Sequence, residues 1–98
     1  MTLPLILRPA ARADLLAARD WYEQQRPGLG ETFAEAVDVI FRRIEEMPES
    51  FAATFRDVRR AKLRKFPYVV YYRVLAERIE VIAVLHGHRD PRIWQYRA

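Results

Sequence analysis

The stretch that most constrains this chain is a connector, RPGL, from Arg26 to Leu29. On either side of it the sequence runs with a helical period. In PAARADLLAARDWYEQQ, residues 9 to 25, Ala11, Leu15, Ala18 and Tyr22 recur at spacings that place them on one face. Pro9 suits a first helical turn, where its missing N–H costs nothing, and Pro27 with Gly28 ends the helix. In GETFAEAVDVIFRRIEEM, residues 30 to 47, Phe33, Val37, Ile40, Ile44 and Met47 form a second stripe with Phe41 beside it. Glu31 and Glu35 lie in its first turns, where carboxylates favour the positive end of the helix dipole. So short a connection returns the second helix antiparallel to the first, as a helical hairpin.

Beyond Pro48 the period changes. PESFAATF reads as a loop anchored by its two phenylalanines. VRRAKLRKF (58–66), YVVYYRVL (68–75) and RIEVIAVLH (78–86) then read as three strands rich in β-branched and aromatic residues. Tight turns near Pro67 and near Ala76–Glu77 make them an antiparallel meander. LPLIL, residues 3 to 7, is a further short strand, placed at an edge or a strand start by its proline. The order β-α-α-β-β-β predicts an α+β fold in which the hairpin packs on one face of a small, mostly antiparallel sheet. With 98 residues there is room for one domain, residues 1 to 98.

Alternation assigns the sheet faces. In the last strand Ile79, Val81, Ala83 and Leu85 are expected to face the helices, which sends Ile82, Val84 and His86 to the open face. In the first meander strand Arg60, Lys62 and Arg64 are expected on one side, opposite Ala61 and Leu63. The run Arg56 to Lys65 carries six cations and one acid. It reads either as an edge strand guarded by charge or as a strip for phosphates and carboxylates, which arginine forks match bidentately. Tyr68, Tyr71 and Tyr72 in the next strand are packing residues or a stacking platform.

Net charge is +4, which favours an acidic partner such as nucleic acid, a ribosome or an acidic protein segment. There is no cysteine, which removes disulfides, thiolate metal sites and cysteine nucleophiles and fits a reducing compartment. No apolar run approaches the roughly 20 residues of a membrane span, and the apolar start lacks the leading cations of a signal peptide. The expected place of action is the cytoplasm, with no membrane partner. His86 and His88 both lie in HGHRDPRIW, but a metal site needs three or four ligands and only Asp90 is near. No metal and no cofactor is expected. Within that stretch Arg89, Asp90 and Pro91 shape a turn, and Trp94 anchors the tail.

The pieces ARADLLAARDWYE, LGETFAEAV, MPESF, VRRAKLRKFPYVVYYRV and IEVIAVLHGHRDPRIW, in this order and spacing, resemble the RelE/ParE superfamily of type II toxin–antitoxin toxins over Arg8 to Trp94. The strand KFPYVVYYRV and the ending HGHRDP are more similar to the ParE branch. That resemblance implies a toxin held as a hetero-oligomer with a cognate, ParD-like antitoxin whose C-terminal segment wraps it. It also implies DNA gyrase as the target, growth arrest as the result, and inhibition by binding, with no catalytic set. The alternative is a RelE-like enzyme cutting ribosome-bound mRNA. Lys62, Arg64, Arg73, Arg89 and Tyr96 would carry that chemistry, although no carboxylate base stands out on the sheet. For target or antitoxin binding the candidates are Arg59, Arg60, Lys62, Arg64, Trp21, Tyr22, His86, Arg89 and Trp94.

Overall fold

A computed structural model describes residues 2–98. Strand β1 (Leu5–Leu7) leads into helix α1 (Pro9–Gln25) and helix α2 (Leu29–Glu46). Strands β2 (Ala53–Phe55), β3 (Val58–Lys62), β4 (Tyr68–Val74) and β5 (Ile79–His86) come next, and helix α3 (Pro91–Arg97) closes the chain. The sheet order is β1-β5-β4-β3-β2, antiparallel except for the β1–β5 pair. The α+β hairpin-on-sheet architecture is therefore the one the sequence predicts, with β2 and α3 added.

The connector works as its composition requires. Gly28 takes a positive φ of 88°, a conformation that side chains with a Cβ resist. No side chain of α2 caps that helix. The Glu23 carboxylate of α1 reaches across instead, accepting from the backbone N–H of Gly28 at 3.0 Å and of Gly30 at 3.0 Å. These two bonds hold the carboxyl of Glu23 below its ordinary range. At Gly30 the helices touch so closely that a Cβ would sit 2.7 Å from the carbonyl oxygen of Arg19. Met47, placed on the buried stripe by periodicity, is instead 64% exposed, because α2 ends at Glu46 and Met47 leaves the helical path.

Two clusters form, one on each face of the sheet. Ala11, Ala18, Phe33, Val37, Ile40 and Ile44 of the hairpin meet Ala61, Val70, Tyr72, Ile79, Val81 and Val84 of the sheet. On the other face Val58, Val69, Tyr71, Ile82, Ala83 and Leu85 surround Trp94 of α3. The face expected to lie open is thus partly roofed. The start of α3 is set by Asp90, whose side chain accepts from the Arg92 N–H, and by Pro91 in the first turn.

The division between clusters corrects the simple alternation along β5. Tyr72 pairs with Val81 and Tyr71 with Ala83, so Ile82 is an extra residue, a β-bulge. Parity shifts there. Ile79, Val81 and Val84 face the helices while Ile82, Ala83 and Leu85 face α3. His86, expected on the open face, pairs with Tyr68 and lies on the helix side.

The strip of cations is also redistributed. Strand β3 ends at Lys62, so Arg60 and Lys62 share the α3 side while Arg64 swings to α2, where it lines a hollow with Ala36, Val39, Ile40, Arg43 and Lys65. The edge position expected for β3 belongs to β2, which pairs outside it.

Tyr72 ties this layer to the loop before β2. Its side chain is fully buried, and its hydroxyl donates to the Pro48 carbonyl at 2.6 Å. Burial pushes its pKa up to about 12. The folded value lies above the unfolded value of about 10, so the contribution is complete below pH ~10 and disappears as pH rises toward ~12. Tyr72→Phe should cost about 1 kcal/mol at neutral pH. It should also remove part of the alkaline loss of stability, read from denaturation midpoints between pH 9 and 12 together with phenolate absorbance.

Candidate functional site

Among the described residues, aromatic side chains, imidazole and guanidinium converge at the surface beside α1. Helix α1 supplies Trp21 and Tyr22, the start of β4 supplies Tyr68 after Pro67, and the end of β5 and its turn supply His86 and Arg89. Together they line a groove of about 530 Å³. A smaller hollow of about 230 Å³ continues from it along the β5 edge, adding Asp14, Ala17, Ala18, Val84 and Leu85.

Packing behind the groove fixes its walls. Tyr22 stacks on Phe33 at 5.1 Å and meets Phe66 and Tyr68 edge-on. Trp21 stands edge-on to Tyr22 at 5.0 Å and remains 54% exposed. Tyr68 contacts the His86 ring edge-on at 5.6 Å. Its hydroxyl is pushed up by burial, with the Arg89 charge acting in the opposite direction. His86 Nδ1 accepts the His88 backbone N–H at 3.0 Å, which leaves the ring proton on Nε2. Gly87 N–H donates to the Pro67 carbonyl at 2.7 Å, and Arg89 N–H to the His86 carbonyl at 2.9 Å, so the turn carrying Arg89 is held to the sheet.

The floor at the β5 edge depends on a lock between distant parts of the chain. Strand β1 stops at Leu7, and β5 continues past it with unpaired backbone groups at the bulge. Asp14 of α1 accepts the Val84 N–H at 3.1 Å and the Arg97 guanidinium at 2.6 Å. Arg97 also donates to the Ile82 carbonyl at 3.1 Å. Arg8 reaches the Arg97 carbonyl and pairs with Glu80, which Arg78 also holds. Burial opposes ionisation of Glu80, but these two arginines prevail and keep its carboxyl below its ordinary range.

The other candidate residues are dispersed. Arg59 donates to the carbonyls of Glu49 and Phe51 at 3.1 and 2.6 Å and serves to hold that loop. Arg73 forms a fork with Asp57 at 2.9–3.1 Å, which lowers the Asp57 pKa. Arg60 and Lys62 lie on the α3 side and Arg64 on α2. Tyr96 is 95% exposed on α3, whereas Trp94 is buried, stacked on Tyr71 at 4.4 Å, and offers no surface to a partner. Arg89, in the turn after β5, lies by Tyr68 at the start of β4, and Arg73 lies five residues further along that strand, roughly 16–17 Å away at about 3.3 Å per residue. Lys62, Arg64, Arg73, Arg89 and Tyr96 thus make no single constellation. Among the described residues, no three His, Asp or Glu side chains converge as a metal set, and no helix is long and apolar enough to cross a membrane.

Of the groove residues, Trp21, Tyr22, His86 and Arg89 are recognisable from the sequence, whereas Asp14 is not among the sequence candidates. Its signal is the stripe Asp14, Ala18 and Trp21, which continues the helical spacing at the margin of the buried face.

A two-helix hairpin on this mostly antiparallel sheet is the architecture that the resemblance to the RelE/ParE superfamily implies. Its structure matches a chain from the "Chromosomal ParDE TA system from P. aeruginosa" with a TM-score of 0.65, 21% identity, and coverage of 86% of this chain and 95% of that one. The family profile described as "ParE toxin of type II toxin-antitoxin system, parDE" matches residues 5–91. Toxin ParE2 of Mycobacterium tuberculosis, in strains CDC 1551 / Oshkosh and H37Rv, is 34% identical over 92 residues, covering 93% of this chain and 88% of that protein. The chain belongs to the ParE family of type II toxin–antitoxin toxins.

Proposed function

We propose that this chain arrests growth in the cytoplasm by binding and poisoning DNA gyrase, and that a cognate ParD-like antitoxin neutralises it in a hetero-oligomer. Membership of the ParE family supports a toxin with an antitoxin partner. The observation that carries inhibition by binding is the dispersal of Arg73, Arg89, Arg64 and Tyr96. Acid–base cleavage of RNA requires groups within hydrogen-bond reach of one scissile phosphate. A groove whose aromatic walls are already fixed by packing suits recognition of a protein segment.

The test is direct. Purified protein should inhibit gyrase supercoiling and leave mRNA on translating ribosomes uncut. Addition of the antitoxin, identified as the small protein encoded beside the toxin gene and co-purifying with it, should restore supercoiling. Cleaved message with untouched supercoiling would reverse the assignment in favour of an mRNA interferase.

A further inference from the structure

The groove beside α1 is unbalanced in its hydrogen-bonding groups. Among the described residues Arg89 has no carboxylate within ion-pair distance, unlike Arg8, Arg73, Arg78, Arg92 and Arg97. His86 has its Nδ1 occupied by the His88 N–H, which leaves Nε2–H as a donor. The one carboxylate at the groove's continuation, Asp14, is taken by Arg97 and by the Val84 N–H. Beside the apolar faces of Trp21, Tyr22 and Tyr68 there remains a pair of donors with no acceptor of their own.

We propose that this groove takes an acidic peptide segment, with a carboxylate on the Arg89 guanidinium and His86 Nε2–H and a neighbouring aromatic or aliphatic side chain bedded against Trp21 and Tyr68. Charge complementarity selects the occupant. A guanidinium fork matches one carboxylate, and an exposed tryptophan beside a tyrosine wall matches one large apolar side chain. A nucleic-acid strand fits less well. It needs a row of cations along its backbone, and Arg60 and Lys62 lie on the other face of the sheet. The identification of that segment with the antitoxin rests on the proposed toxin–antitoxin partnership, while the chemistry of the groove does not.

The two tryptophans provide the readout, since Trp21 is 54% exposed and Trp94 only 5%. Acrylamide should quench Trp21 in the free protein. A short acetylated peptide alternating glutamate with leucine and phenylalanine should shield it. The same peptide with glutamine in place of glutamate should bind at least about tenfold more weakly, as should the acidic peptide to Arg89→Ala, the loss expected when one charge-assisted fork disappears. Trp21→Ala, followed by calorimetric titration, should weaken binding to a similar degree.

Equal binding of the acidic and glutamine peptides, or undiminished binding to Arg89→Ala, would overturn the proposal. So would tighter binding of an oligothymidylate than of the peptide, competing for the same Trp21 shielding. The antitoxin complex separates the two readings. A stable complex in which acrylamide quenches Trp21 as in the free toxin keeps the partner and removes the groove. Charge-dependent peptide binding at Trp21, with no protein partner found, keeps the groove and removes the partner.

Discussion

Trp94→Ala is expected to remove about 3–5 kcal/mol of stability, the range for deleting a large buried aromatic. Trp94 is the only large side chain that α3 buries. It stacks on Tyr71 with the rings 13° from parallel and meets Phe55 edge-on, between β4 and β2. Its removal leaves Val58, Val69, Ile82 and Leu85 without their roof. Domains of this size are stable by roughly 5–15 kcal/mol, so the loss takes a large share of the total. At about 4–8 °C per kcal/mol it should lower the melting temperature by roughly 12–40 °C. Loss of near-ultraviolet circular dichroism and early proteolysis at Arg92 or Arg97 should accompany it. A shift of only a few degrees would mean that α3 adds little to the fold, and that the Arg97–Asp14 lock, not the tryptophan, holds it.

The second large effect belongs to the opposite face. Phe33 is fully buried and its ring lies 5.1–5.2 Å from those of Tyr22, Phe66 and Tyr68. Phe33→Ala should cost about 3–5 kcal/mol from lost burial and the cavity left behind. Two of its three aromatic neighbours are walls of the groove, so the damage extends beyond stability. Peptide binding at Trp21 and Arg89 should fall at temperatures where the variant is still folded by far-ultraviolet circular dichroism. Phe33→Leu, which refills most of the space, should recover much of both. Unimpaired binding by folded Phe33→Ala would show that Tyr22 and Tyr68 are positioned without it.

The sequence makes some of this legible and conceals the rest for definite reasons. Helix α1 falls at Pro9–Gln25 as its periodicity and prolines require, because amphipathic spacing with clear stop signals is a local property. The face of His86 is not local. Strand β5 is apolar on both sides, so its alternation carries no mark of the bulge, which becomes visible only in the pairing with β4. Helix α3 does carry a local signal, Asp90 followed by Pro91, but the same pair also begins turns. The cationic strip from Arg56 to Lys65 reads as one feature in sequence and becomes several in space, because β3 ends at Lys62 and the turn after it sends Arg64 to the hairpin. The groove's individual members stand out, whereas their convergence depends on the α1–β5 packing that no local pattern encodes.

The bulge in β5 bears on which changes of length this strand tolerates. Ile82 is the one residue of the strand without a partner across β4, so its excision leaves Val81 opposite Tyr72 and Ala83 opposite Tyr71. No neighbour turns over and both cores retain their other members. Removing Val84 or Leu85 with the bulge retained instead displaces the rest of the strand by one position and turns its side chains to the opposite face. Yet the Ile82 carbonyl is a point of attachment for Arg97. A strand shortened there keeps its register and loses part of its grip on the final helix, which makes this single position a place where chain length can vary without exchanging the two faces of the sheet.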